Sequence, residues 1–319
     1  MKTMRRTGCF LLILFALAPA RAQQGFHHFL TPEDTLDRKR VHFIEGTWTG
    51  IYGTALIGLN SLWYAQYPRS AFHFYNDDGE WNQMDKCGHV LTAYFEAQWS
   101  TQVLQWAGIS KNKAAWYGAA TGILFQSIIE TLDGFSTQWG FSPGDMTANV
   151  LGSGICLSQH LLWQEQRIQL RFSSHPVSYP AEVKSRALDL YGRSIPEKVL
   201  KDYNGQTYWL DVNPFSFMKK SHPHFPAWLN ISMGYGSEYM LGGYRNQWTD
   251  EAGNAEQPPA SYPARTRQFF LSADLDLTRI KTKSRVLKTL FSMVNVLKIP
   301  APALEWNTLG KFVLHPVYF

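Results

Sequence analysis

Three stretches of this chain carry no charge at all, Gly46 to Pro68, Ala114 to Ile129 and Met146 to Gln164, and a fourth, Val90 to Ser110, is interrupted only by Glu96. Each is close to the roughly 20 residues that a helix needs to cross a bilayer. Their composition is ambivalent, because Gly, Ala, Ser, Thr, Gln and Trp are common and long Leu/Ile/Val runs are absent. Small residues let helices approach closely in lipid and in a globular bundle alike, so the sequence leaves both settings open. Any fold for this chain must place about four such helices side by side.

The beginning of the chain bears on where that packing happens. MKTMRRTGCFLLILFALAPARAQQ has a basic start (Lys2, Arg5, Arg6), an apolar run from Cys9 to Leu17, and Ala20-Arg21-Ala22 before Gln23. This is the order of a cleavable secretory signal peptide, expected over residues 1–22. The apolar run is too short for a membrane span and Pro19 breaks it. A lipoprotein signal is not expected, since its cysteine should follow the apolar run and Cys9 precedes it. The expected address is therefore exported, at the outer membrane or the periplasmic face of the envelope. Subtracting the four cations of this segment from the formal charge of +5 leaves +1, so the basic pI is no sign of nucleic-acid binding. Cys87 and Cys156 then remain, on helix faces that do not meet, and are read as buried and unpaired.

The last third alternates. Leu229, Ile231, Met233 and Tyr235 interleave with Asn230, Ser232 and Gly234, and Phe269, Leu271, Ala273, Leu275 and Leu277 interleave with Gln268, Ser272, Asp274 and Asp276. Such alternation predicts strands with one wet face. Gln206 to Val212 and Trp306 to Phe319 are weaker strand candidates. Arg279 to Ile299 has Val286, Leu287, Leu290, Phe291, Val294 and Leu297 at helical spacing behind Lys281, Lys283, Arg285 and Lys288. It is an amphipathic helix that either covers a sheet or lies in a bilayer interface. The four or so convincing strands are too few for a closed transmembrane barrel, despite the terminal Phe319.

The expected fold is thus α+β: a bundle of about four helices with an inward polar stripe, then an antiparallel β-rich part with one amphipathic helix. The boundaries read from the sequence are 23–167 for the helical domain, 168–205 for a connection with one short helix around Glu182 to Leu190, and 206–319 for the β-rich region.

Chemistry concentrates in the bundle. Asp85 and His89 stand four apart on one helix face, Gln126 and Glu130 repeat that spacing on the next helix, and Asp133 follows them. Asp145, Asn149 and Gly152 share a face of the helix that opens at Ser142-Pro143. Burying several carboxylates costs several kcal/mol each unless they pair, bind a cation or shift pKa, by the usual cost of buried charge of about that size. The candidate site is accordingly Asp85, His89, Glu130, Asp133, Asp145 and Asn149. It is either a structural network, with Ser142 and Asp145 capping a helix, or a site that holds a metal or divides acid and base roles; the sequence identifies no cofactor and leaves the metal open.

The order D-K-x-x-H, then a Glu on the next helix, then D-x-x-A-N-x-x-G resembles the YfiM-like family of predicted periplasmic lipoproteins, a domain of unknown function. It is similar, more distantly, to the VanZ-like membrane proteins. The matching positions are Asp85, Lys86, His89, Glu130, Asp145, Ala148, Asn149 and Gly152, within about Trp48 to Trp163. The chain departs from that family by lacking a lipobox and by its long β-rich end, and in this it resembles the longer exported members found in Bacteroidota. The resemblance implies no reaction.

Three functions compete. One is a membrane-associated envelope protein whose polar cluster is structural or binds a ligand; no nucleophile elbow, zinc motif or P-loop is present. Another is a hydrolase-like enzyme acting on a lipid or cell-wall precursor at a membrane surface, with His89 as base. The third is a binding module using aromatic residues near Trp81, Trp99 and Trp139. The expected partner is membrane lipid or another envelope component, and not nucleic acid.

Overall fold

A computed structural model describes residues 28–65, 67–218, 226–250 and 252–319. The segment read as a signal peptide lies outside the described residues. The protein is α+β, as expected, with a helical part followed by an antiparallel sheet.

Helix α1 (Arg38–Leu59) runs along the outside of three mutually packed helices, α2 (Met84–Trp106), α3 (Lys111–Asp133) and α4 (Pro143–Trp163). It is fixed at its start by Arg40, whose guanidinium donates to the carbonyls of Thr31 (2.7 Å) and Trp106 (2.9 Å) and lies over the Trp106 ring. Further along, Tyr52 stacks on Phe125 of α3. Helix α4 begins where Ser142 caps the backbone N–H of Asp145 and Pro143 fills the first turn. No helix among the described residues is long and apolar enough to cross a membrane.

The bundle is tight because its contact faces are made of small residues. A Cβ at Gly152 would lie 2.1 Å from the Val90 carbonyl oxygen, and one at Gly118 would lie 2.2 Å from Thr101 Oγ1. Gly152→Ala is expected to lower the unfolding free energy by about 2 kcal/mol through this overpacking. Gly154→Ala, where a new Cβ meets nothing within 4 Å, serves as the control. Urea midpoints of the two variants check the difference.

Cys87 and Cys156 are free thiols; Cys156 is buried and Cys87 half-buried. The stretch 168–205 opens with a strand, β1 (Ile168–Ser174), and carries α5 (Ala181–Tyr191) and the short, Ser194-capped α6 (Ile195–Lys201). Then come β2 (Gln206–Val212), β3 (Leu229–Glu238), a two-residue ribbon of β4 (Trp248–Thr249) and β5 (Ala255–Glu256), β6 (Thr266–Leu275), α7 (Arg285–Val294), β7 (Ala301–Asn307) and β8 (Phe312–Tyr318). The main sheet has the order β1-β2-β3-β6-β7-β8, antiparallel throughout. It curls far enough that Tyr318 on β8 stacks on Phe270 and lies 3.0 Å, hydroxyl to hydroxyl, from Thr207 on β2.

The two faces of this sheet are exchanged relative to the expectation. The polar residues Asn230, Ser232, Gln268, Asp274 and Glu305 are buried inside the curl, while Ile231, Met233, Phe269, Leu271, Leu304 and Trp306 point outward and are exposed. Alternation fixes which residues share a face and says nothing of which face is wet. What decides it is a buried charge cluster: Arg171, Asp211, Asp274 and Lys298 have fully buried side chains. Arg171 Nε lies 3.3 Å from Asp211 and 3.7 Å from Asp274, and Lys298 Nζ lies 3.8 Å from Asp274.

The amphipathic helix α7 also differs from a helix covering a sheet. None of its residues is buried, and Leu287, Leu290 and Met293 are exposed.

Candidate functional site

The first turn of α2 is delivered by an unusual piece of backbone. Trp81, Asn82 and Gln83 all have positive φ (48°, 52° and 62°), a region sparsely used by residues other than glycine. Such strain persists when surroundings over-determine it, and here the sheet supplies the clamp. The Asn82 carbonyl accepts from Arg267 Nη1 (2.9 Å) and from the Tyr235 hydroxyl, and Asn82 Nδ2 donates to Ser237 Oγ (2.8 Å). The turn thereby presents Asp85, Lys86 and His89 of α2 toward the starts and ends of its neighbours.

At the centre stands His89. Its Nδ1 lies 3.1 Å from Asn149 Oδ1 on α4, and its Nε2 lies 3.6 Å from Glu130, 3.6 Å from Asp145 and 3.9 Å from Asp85. An amide oxygen at one nitrogen and carboxylates around the other favour an imidazolium that donates to Asn149 Oδ1, with the carboxylates at ion-pair rather than hydrogen-bond distance. Beside it, Lys86 Nζ lies 2.5 Å from Asp77, 2.7 Å from Asp145 and 3.6 Å from Asp85. Ser142 Oγ donates to Asp77 (2.6 Å), the Ser142 N–H donates to Glu130 Oε2 (3.2 Å), and the Tyr203 hydroxyl donates to Asp85 (2.7 Å).

Five of the six expected site residues, Asp85, His89, Glu130, Asp145 and Asn149, therefore converge. Asp133 is placed apart: it accepts from the Tyr64 hydroxyl (2.7 Å), and among the described residues it forms no ion pair with His89 or Lys86. Asp77 and Tyr203 belong to the cluster and were missed. Asp77 lies in the loop before α2, its acidity near D-K-x-x-H being the one available hint, and nothing local marks Tyr203. The three tryptophans proposed as an aromatic binding surface are half-buried and packed, Trp81 on Tyr203, Trp99 on Phe95 and Trp139 on Tyr67.

Burial sets the protonation of this site. It pushes Glu130 up to about 8, His89 pulling the other way, and Asp145 adds to the rise by repulsion. Asp145 is likewise raised by burial and by Asp85. For His89 and Lys86, burial favours the neutral form, but the surrounding carboxylates outweigh it and both stay protonated above their ordinary ranges. Burial also acts on Asp77, where hydrogen bonds from Lys86 and Ser142 win and lower it. A raised Glu130 contributes stability that is complete below its ordinary 4.5 and is lost as pH climbs through about 8, and His89, also raised, has the same sign. Melting temperature, recorded with chelator present, is expected to fall between pH 5 and 8; Glu130→Gln, which cannot ionise, should flatten that fall.

Asp85, His89 and Asp145 each offer one ligand atom within 4.8 Å of the others, a set able to hold a divalent cation. The Lys86 ammonium competes for that position, lying 2.7 Å from Asp145.

Lys86 and Gly144 also border a cleft of about 510 Å³ between α2, α4 and the outer face of β2 and β3. Val90, Leu91, Leu151, Leu210 and Met233 make its walls apolar, and its size is that of a small-molecule pocket.

Residues 73–160 match the model of a family described as predicted periplasmic lipoprotein (DUF2279), which bears out the resemblance to the YfiM-like domain of unknown function. The match spans α2 to α4 with the loop before them, so it takes in the converging residues except Tyr203 and ends before the sheet. No curated protein and no solved structure matches the chain.

Proposed function

We propose that this is an exported protein of the cell envelope, working at the outer membrane or on the periplasmic side, in which the His89 cluster receives the polar head of an amphiphile whose apolar body lies in the adjoining cleft. The family's description as periplasmic and the signal-like first 22 residues support the address. The observation that carries the binding role is the junction of the two features: an apolar cleft that ends on Lys86, inside a buried set of carboxylates. A network serving only stability would not need an apolar approach to it.

The charge balance favours a cationic or strongly donating head. Among the described residues Asp77, Asp85 and Asp145 face Lys86 and His89 alone, so the balance turns negative as Asp145, raised to about 7, ionises, and Glu130 Oε1 is buried there without a hydrogen-bond donor. Calorimetric titration with dodecylammonium and with laurate, below their micelle concentrations, tests this. Dodecylammonium should bind at least about tenfold more tightly, a difference of about 1.4 kcal/mol. Met233→Trp, which fills the cleft, should abolish binding of both, and Asp145→Asn should erase the preference. Equal affinity for the two heads, unchanged by Asp145→Asn, would sink the reading.

A second reading is hydrolysis of a lipid or cell-wall precursor. It is favoured by the proximity of His89 to Glu130, an acid raised close to neutrality, since general acid–base catalysis works best with such values. Retained binding with no turnover of any envelope lipid would decide against it.

A further inference from the structure

The outer face of the sheet, beyond the cleft, is covered by nothing among the described residues. Cross-strand partners place its side chains in two rows: Phe269, Trp306 and Phe312 across β6, β7 and β8, and Leu271, Leu304 and Leu314 beside them. All six are exposed, Leu271 by 52%, Phe312 by 72% and Leu314 by 70%. The alternating positions on β6 and β7 are buried: Phe270 and Glu305 between the exposed residues, and Gln268 and Asn307 flanking them. A soluble sheet puts its apolar residues on the packed face and its polar ones in water; here β6 and β7 expose the apolar set, and β8 exposes Phe312, Val313 and Leu314 in succession. Contiguous exposed apolar surface of this kind marks an interaction site.

We infer that this face seats in one leaflet of an anionic bilayer, with α7, which lies in the connection from β6 to β7, at the headgroup level. Charge complementarity selects the partner. The segment from Arg279 to Ile299 contains no acidic residue, its Lys281, Lys283 and Lys288 are exposed, and they stand next to the exposed Leu287, Leu290 and Met293 of α7. Exposed apolar side chains adjoining a basic edge match an acyl layer bordered by acidic headgroups. The surface deepens, and rests on, the reading of the chain as an envelope protein that meets lipid. It can fail while the cleft still binds dodecylammonium, and the reverse, so the two tests separate.

The test is flotation of the full chain with vesicles of phosphatidylcholine alone or mixed with phosphatidylglycerol. The protein should rise with the mixed vesicles, and K281Q/K283Q/K288Q should weaken that binding roughly tenfold or more, as should salt of about 0.5 M. L271D/L304D, changing exposed positions only, should abolish flotation while circular dichroism stays unchanged; L314D on β8 repeats the test if the double variant misfolds. Wild-type protein that stays down with both vesicles would overturn the inference. So would variants that float like wild type, or a lipid-free dimer that L271D/L304D dissociates, since the face would then cover a second copy.

Discussion

Replacing Arg171 by Met is expected to lower the unfolding free energy by about 4 kcal/mol, the cost of leaving buried charge uncompensated. The guanidinium sits inside the curl of the sheet with no exposed surface, against Asp211 and Asp274 that have none either. Asp274 is pushed up by burial and by repulsion from Asp211. Met fills similar volume, so the loss is electrostatic rather than a cavity. Without Arg171, Lys298 alone faces two carboxylates. The double variant R171M/D274N removes one of them and should recover roughly half of the loss, a coupling that a double-mutant cycle isolates. Urea unfolding in mild detergent provides the readout. If R171M/D274N is no more stable than R171M, the residue acts through packing.

The second large effect is expected at Lys86. Its ammonium bridges Asp77 and Asp145 and lies within 3.6 Å of Asp85, so Lys86→Met leaves three acidic neighbours around a buried His89. A loss of about 3 kcal/mol follows from the same rule, somewhat smaller because Lys86 and Asp85 keep some contact with solvent. The loss should grow with pH. Carboxylates deprived of their cation hold protons more tightly, so at low pH they are neutral and the missing ammonium matters less, whereas at high pH they must ionise unpaired. The same urea experiment at pH 5 and pH 8 checks the sign: a deficit larger at pH 5 would contradict it.

Much of the bundle was legible because its signals are local. Spacing of four put Asp85 with His89 and Gln126 with Glu130 on single helix faces, and Ser142-Pro143 marked the start of α4. Convergence of those faces followed from the cost of burying carboxylates separately. Asp77 and Tyr203 escaped for the opposite reason: each reaches the cluster through tertiary packing, Asp77 from a loop and Tyr203 from a short turn before β2, with no periodicity to announce them. Asp133 shares the helical face of Gln126 and Glu130, and what separates it from the cluster is the Tyr64 hydroxyl that occupies its carboxylate.

The sheet shows a different limit. Alternation located β3 and β6 well, and it sorted their side chains correctly into two sets. It could not say which set faces inward, because that depends on a partner from another strand: Arg171 lies on β1, a strand not foreseen in the stretch 168–205. With that arginine and Lys298 inside, Asp211 and Asp274 have reason to be buried, and the apolar set is left outside. A feature read as a wet face thus became a charged interior, and the apolar face a surface that needs a cover.

The most direct test of the cluster as a ligand site is the imidazole of His89, which lies among the carboxylates on one side and pairs with the Asn149 amide on the other. Nuclear magnetic resonance of protein labelled at histidine, titrated with dodecylammonium, should show the His89 ring nitrogens shifting in step with the methyl signal of Met233 in the cleft. A moving Met233 signal with His89 unmoved, or no response from either, would contradict the account.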